Sequence, residues 1–282
     1  MRIDAHHHVW DLARRPQPWT AGLAPLERSF AYDELLPQLD AAGIVGTVAV
    51  QTVASIEETH ELLALAAEEP RLLGVVGWVD LTSDSVGAEV AEIRTLAGGD
   101  RLVGVRHQLQ VEPDPDWLAR PVVRRALQRL GHAGLAYDVV VSPAQLPAVT
   151  AAVDATPGTA FVLDHAGKPG LARRSLGAWR RDITELARRE HVSVKLSGLV
   201  TEADWDGWTV AELVPAVETV LEAFGAERTM WGSDWPVSLL ADTDYATWVR
   251  VSEELLAGLS VREAHDVWGG TACRVYGLPV AA

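Results

Sequence analysis

The sequence predicts a single (β/α)8 barrel, the TIM-barrel class. Three observations carry this expectation. Eight short runs rich in Val, Ile and Leu recur along the chain, and amphipathic helical stretches separate most of them. The strand-like runs are apolar almost throughout, as expected of strands buried on both faces of a parallel sheet. The length of 282 residues suits eight such repeats in one domain spanning 1–282. An open doubly wound sheet is the rival, but no G-x-G-x-x-G follows a strand, and Gly167-Lys168-Pro169 lacks the rest of a phosphate loop.

Taken in order, the strand candidates are Arg2–His6, Gly46–Gln51, Leu73–Val79, Leu102–Leu109, Leu135–Val141, Ala160–His165, Ser193–Ser197 and Arg228–Ser233. Helical spacing predicts helices over Ile56–Ala67, Pro121–Leu130, Trp179–Arg189, Ala211–Phe224 and Tyr245–Leu259. Between the first strand and the first helix lies a stretch with Pro16, Pro18 and Pro25. It reads as a long loop over residues 11–31, placed to act as a lid.

Composition narrows the function classes. Acidic residues outnumber basic ones 39 to 24, for a net charge of -15, and no Lys/Arg-rich block is present. Nucleic acid is therefore not an expected partner. No apolar run reaches the roughly 18 residues that span a bilayer, and no basic-then-apolar leader opens the chain, so a membrane is not expected either. The single cysteine, Cys273, rules out an intrachain disulfide framework and fits a reducing cytoplasm. Oligomeric state is not legible.

In such a barrel the site forms at the carboxyl ends of the strands. Polar residues gather there in every repeat. They are His6 and His8, Gln51, Trp78 and Asp80, Arg106 with His107 and Gln110, Asp138, Asp164 with His165, Lys195 with Ser197, and Ser233 with Asp234. The first strand is the focus. Its His run is embedded in Ile3-Asp4-Ala5 and Val9-Trp10, unlike a purification tag. Strand alternation is expected to send Asp4, His6 and His8 to one face and His7 to the other. Closure pairs the eighth strand with the first, bringing Asp234 beside His6 and His8. With His165 from the sixth strand, these are suitable ligands for a divalent metal, or groups that orient a water directly. Asp234 is the natural general base. Trp10, Trp19, Trp78 and Trp235 fall near the expected mouth, where ring faces can stack on a sugar. Gln51 and Gln110 are further candidates for substrate contact. Lys195 and Asp138 are read as pairing with each other or touching substrate. Alternation separates Arg106 from His107, so one is expected to bind substrate and the other to pack. The absence of G-x-S-x-G argues against a serine acyl-enzyme.

Five pieces, spread over nearly the whole chain, carry a family resemblance. They are Asp4-Ala-His-His-His-Val-Trp10, Gly104-Val-Arg-His-Gln-Leu-Gln110 with Glu112-Pro-Asp-Pro-Asp-Trp117, Leu163-Asp-His-Ala-Gly-Lys-Pro169, Val194-Lys-Leu-Ser-Gly198 and Trp231-Gly-Ser-Asp-Trp-Pro236. In this order they resemble the amidohydrolase superfamily, in its sugar-lactone hydrolase branch. The Arg106–Trp117 piece is most similar to L-fuconolactonase-like enzymes. The resemblance implies a hydrolase that opens an aldonolactone ring, such as that of L-fuconolactone, with water. His6 and His8 fill the H-x-H positions, His165 the sixth-strand histidine and Asp234 the eighth-strand aspartate. His165, Arg106 or His107 would polarise the lactone carbonyl. Two departures stand out. No lysine bridges from the fourth strand, and Asp138 stands where a fifth-strand histidine is usual. These point away from a binuclear centre, toward one divalent cation (zinc or manganese) on His6, His8, His165 and Asp234, or toward a metal-independent site. The rival reactions are dicarboxylate lactone hydrolysis and metal-dependent decarboxylation of an aromatic acid. A non-catalytic sugar-binding barrel is a further alternative.

Overall fold

The computed structural model describes residues 1–279. Eight parallel strands lie in sequential order: β1 (Arg2–His7), β2 (Ile44–Val50), β3 (Leu72–Gly77), β4 (Leu102–His107), β5 (Ala136–Val139), β6 (Phe161–Leu163), β7 (Val192–Leu196) and β8 (Thr229–Trp231). Helices α1 (Tyr32–Ala42), α2 (Ile56–Glu68), α3 (Val86–Ile93), α4 (Pro121–His132), α5 (Leu146–Ala155), α6 (Gly177–Leu186), α7 (Val210–Phe224) and α8 (Tyr245–Leu255) follow the strands in turn. Two short helices, α9 (Val261–His265) and α10 (Thr271–Tyr276), end the described chain. This is the (β/α)8 barrel that the alternating pattern predicts.

Of the eight helices that follow strands, three, α1, α3 and α5, lie outside the predicted helical stretches. Pro37 sits inside α1, α3 has only eight residues, and α5 is rich in Ala and Val. Their helical pattern is therefore weak, and packing on the sheet stabilises them. Each still buries one stripe, as Val86, Val90 and Ile93 do in α3. Several strands are shorter than their apolar runs. The sixth stops at Leu163 because the chain turns into the left-handed region at His165 and Ala166.

Two apolar clusters build the core. The larger lies between sheet and helices. The smaller fills the barrel, with Ile3, Ala5, Val48, Val50, Val76, Val162 and Met230 from the strands. Ala272, Tyr276 and Leu278 plug it from the amino-terminal end.

The register of β1 departs from simple alternation. Asp4 pairs with Thr47 and His7 with Ala49, so three steps along β1 match two along β2. This β-bulge turns Asp4 and His7 outward while Ala5 and His6 both face inward. The expectation that Asp4 shares a face with His6 and His8 is corrected accordingly. Asp4 instead staples the barrel shut: its Oδ1 accepts from the Ser233 amide (2.8 Å) and the His6 amide (3.1 Å). Its Oδ2 accepts from the Tyr245 hydroxyl of α8 (3.1 Å). Closure is completed by Asp234 N to His6 O and His8 N to Trp235 O, both 2.7 Å. Burial pushes the Asp4 carboxyl up to about 6 against these hydrogen bonds.

Outward-facing His7 packs at 5.7 Å on the Tyr32 ring, and neither ring nitrogen has a partner. Burial lowers it from its ordinary value near 6.5 to about 3. Between those values the unfolded chain binds the extra proton. His7 therefore weakens the fold as pH falls below about 6.5, by about 2–3 kcal/mol near pH 4.5. Two outcomes follow for denaturant unfolding. His7→Phe, which removes two unpartnered polar atoms, should match or exceed the parent at pH 7 and lose less stability on acidification to about pH 4.5. Asp4→Ala strands three donors and should cost about 3 kcal/mol or more at pH 7.

Candidate active site

The site is built in two tiers. The lower tier is a layer of buried charge across the barrel. Lys195 on β7 is fully buried. Its ammonium donates to Asp138 Oδ2 (2.6 Å) and lies 3.1 Å from Asp164 Oδ1. The Tyr276 hydroxyl, entering from the barrel floor, also donates to Asp138 Oδ2 (2.7 Å). Arg106 on β4 donates through NH1 to Asp164 Oδ2 (3.0 Å) and through NH2 to both Gln51 oxygens, at 3.2 Å for Oε1. Burial opposes ionisation of Asp164, but Lys195, His6 and Arg106 overcome it and hold its carboxyl well below the usual range. The predicted pairing of Lys195 with Asp138 is what forms. Neither residue lines the cavity above.

The upper tier faces the cavity. His8 Nδ1 lies 2.7 Å from the Val50 carbonyl, so that nitrogen carries the proton and Nε2 offers a lone pair. His6 Nδ1 is 3.2 Å from Asp164 Oδ1 and 3.2 Å from Lys195 Nζ. The two Nε2 atoms are 3.2 Å apart, and Asp234 Oδ1 lies 3.4 Å from that of His8 and 3.7 Å from that of His6. Tetrahedral bonds of about 2.0–2.1 Å put neighbouring ligand atoms roughly 3.3–3.4 Å apart, so this triangle fits one zinc-sized cation. His6, Asp164 and His165 also approach one another. There, however, Asp164 is already neutralised by Arg106 and Lys195.

His165 comes in from the turn after β6, where residues 165, 166, 167 and 168 all have φ between 50° and 66°. Asp234 is likewise at φ 55°. Such conformations cost of order 1 kcal/mol each in non-glycine residues and concentrate at functional sites. Room for them comes from Gly198 (φ 60°), where a Cβ would lie 2.6 Å from His165 Nδ1 and 2.7 Å from Asp234 Oδ2. His165 Nδ1 is 2.9 Å from the Ser197 hydroxyl and 3.9 Å from Asp234 Oδ2. Burial lowers His165 to about 4, with Asp234 and Asp164 partly opposing, so it is neutral near pH 7. For Asp234 burial favours the acid, but His165, His8 and His6 together drive its carboxyl far below the usual range.

Above these groups opens a cavity of about 340 Å³. His8, Arg106, His165 and Asp234 form its floor. Trp19 from the 11–31 loop, Gln110, Lys168 and Thr201 form part of its walls. Among the residues expected to touch substrate, Trp19 and Gln110 therefore line the cavity. The others support it: Gln51 orients Arg106, Trp10 packs on Phe30 and Trp19, and Trp235 packs on Phe30. Trp78 Nε1 donates to His107 Nδ1 (3.3 Å), leaving the ring proton on Nε2, which donates to Glu112 Oε2 (3.1 Å). The His107 ring also stacks at 4.2 Å on Trp117. With both nitrogens engaged, His107 has no free atom for the lactone, and Arg106 is the member of that pair at the site.

Sequence reasoning had assigned no role to Asp164, Lys168 or Tyr276. Asp164 adjoins His165 at a strand end, a signal that was available. Tyr276, 138 residues from its partner, carries none.

Comparison with known proteins places these features in a family. The family model described as amidohydrolase matches residues 3–278. An L-fucono-1,5-lactonase from Burkholderia multivorans is 41% identical, covering 100% of this chain and 98% of that protein. One of the same name from Burkholderia ambifaria is 38% identical, covering 98% and 95%. A crystal structure of an amidohydrolase from Burkholderia multivorans with bound zinc superposes with a TM-score of 0.93 at 41% identity, covering 99% of this chain and 100% of that one. The chain belongs to the amidohydrolase family.

Proposed function

We propose that this enzyme hydrolyses a sugar lactone of the L-fucono-1,5-lactone kind, opening the ring to the hydroxy acid. The carrying observation is the His6–His8–Asp234 triangle, set with neutral His165 and cationic Arg106 at the floor of the cavity. The relatives named L-fucono-1,5-lactonase support the choice of sugar. The lone Cys273 agrees with a cytoplasmic setting, and no helix among the described residues is long and apolar enough to cross a membrane. The 11–31 loop, through Trp19, is the lid over the bound ring.

The two oxygens of Asp234 face different neighbours. Oδ1 looks toward His6 and His8, and Oδ2 toward His165. His6, His8 and Asp234 Oδ1 would hold one divalent cation, which when bound supplies Lewis acidity and a more acidic water. Asp234 Oδ2 takes the proton of the attacking water, for which its ionised state is required. His165, with Nδ1 accepting from the Ser197 hydroxyl, presents Nε2–H to the lactone carbonyl oxygen. Arg106 adds positive charge where the oxyanion develops. The bond from the carbonyl carbon to the ring oxygen breaks, and Asp234 returns the proton to that oxygen. Ionisation of the new carboxylic acid releases one proton to solvent.

A dicarboxylate substrate fits less well. Among the described residues lining the cavity, Lys168 is paired with Glu202 at 2.9 Å, and Arg106 is assigned to the carbonyl end of the substrate. No further cation among them is left to meet a second carboxylate.

A pH-indicator assay across aldonolactones should show proton release with L-fucono-1,5-lactone. Asp234→Asn should lower kcat by about 10³-fold with the thermal midpoint nearly unchanged. An inactive parent on every lactone, or a fully active mutant, would sink the mechanism. Equilibrium dialysis against Zn²⁺ should find one ion per chain. His8→Gln should weaken that binding at least about tenfold, since it removes one of three protein ligands.

A further inference from the structure

The loops after β2 and β4 form one side of the cavity through Thr52, Val53, Ala54, Gln108, Gln110 and Val111. Neither loop has strand partners there, yet each is held by a buried or half-buried carboxylate. Glu58, the third residue of α2, is only 4% exposed. Its Oε2 accepts from the amides of Thr52 (2.9 Å) and Val53 (3.0 Å), and its Oε1 accepts from the Thr52 hydroxyl. Glu58 stands in the first turn of α2, so this acceptor is set by the helix itself rather than by the loop. In the second loop, His107 ties Glu112 back to the end of β4 and stacks on Trp117, so the residues between them form a closed Ω-like excursion. Gln108 Nε2 then donates to Thr52 O, stitching the loops together. Gln145 Nε2, from the loop after β5, donates to Leu109 O (2.7 Å).

None of these clamps reaches the reacting groups. His6, His8, His165 and Asp234 are held by the floor of the barrel and by closure, whereas Glu58 and His107 hold only the wall. We infer that Glu58 and His107 are positioning residues that preset the two-loop wall against which the sugar ring is read, so that they govern binding and selectivity rather than the chemical step. This rests on the lactonase reading above. The physical reason is preorganisation: a wall already in place leaves less conformational freedom to be lost on binding.

The test compares Glu58→Ala, Glu58→Gln, His107→Leu and the parent. Glu58→Ala and His107→Leu should raise KM for L-fucono-1,5-lactone about tenfold with kcat within about twofold. They should also narrow, by a similar factor, the preference over an aldono-1,5-lactone epimeric at one ring carbon. Glu58→Gln keeps an acceptor for the two amides and should recover most of the loss. Independently of any substrate, hydrogen exchange at the Thr52 and Val53 amides should quicken at least about tenfold in Glu58→Ala. Unchanged exchange, or a fall in kcat at constant KM and constant selectivity, overturns the inference. If the parent turns over no lactone, the functional reading fails while the exchange measurement still decides whether Glu58 holds the wall. If Glu58→Ala does not fold, Glu58→Gln and His107→Leu carry the comparison.

Discussion

The carboxylate of Asp4 is the joint on which this site depends. The barrel has no regular ladder between β8 and β1. Contact there is made by a few backbone hydrogen bonds just beyond the end of β8, and Asp4 secures them by accepting from both sides of the seam. To reach the seam, Asp4 must face outward. The bulge that follows is what lets Ala5 and His6 both point inward and puts His8 beside His6. One extra residue in β1 thus closes the barrel, aims two imidazoles at one point and sets Asp234 opposite them. The left-handed conformation of Asp234 belongs to the same joint, because its amide is tied to the His6 carbonyl.

Beneath the joint, the layer of Lys195, Asp138, Asp164 and Arg106 solves a different problem. An isolated buried ammonium or carboxylate is strongly disfavoured, whereas a charge with close opposite partners and filled hydrogen bonds is tolerated. Here two cations meet two carboxylates within 3.1 Å, and the Tyr276 hydroxyl supplies another donor. Such a layer is weak evidence of stability in itself. Its consequence is local: Asp164 Oδ1 and Lys195 Nζ both stand 3.2 Å from His6 Nδ1 and hold the ring with Nε2 turned toward His8 and Asp234. Asp138 on β5 serves in this layer as the counter-ion of Lys195.

How much of this was legible in the sequence follows from what each signal encodes. Eight apolar runs at barrel spacing specify the fold because buried parallel strands leave little choice of residue. The convergence of His6, His8, His165 and Asp234 was legible because strand ends in a closed barrel face one mouth, and closure makes the first and eighth repeats neighbours. The facing of Asp4 was misread because a one-residue bulge leaves no trace in composition, and alternation is right only until the register slips. The roles of Arg106 and His107 separate only when the indole of Trp78 and the carboxylate of Glu112 are seen to occupy both His107 nitrogens. Glu58 and Tyr276 sit in ordinary helical stretches, and their significance lies wholly in partners that the fold brings to them.

These supports divide the molecule's tasks between separate elements. The groups proposed to react stand on β1, on the turns after β6 and β8, and on the charged floor, where four non-glycine residues with left-handed φ carry local strain. That strain is tolerable because the seam, the Gly198 gap and the Ser197 hydroxyl leave those side chains few alternatives. The cavity wall hangs on the other side of the barrel, from loops clamped by their own carboxylates. A change in the wall can therefore alter which ring is accepted without disturbing the His6–His8–Asp234 triangle. A change in the floor reaches the triangle directly, since His6 is in contact with both tiers at once.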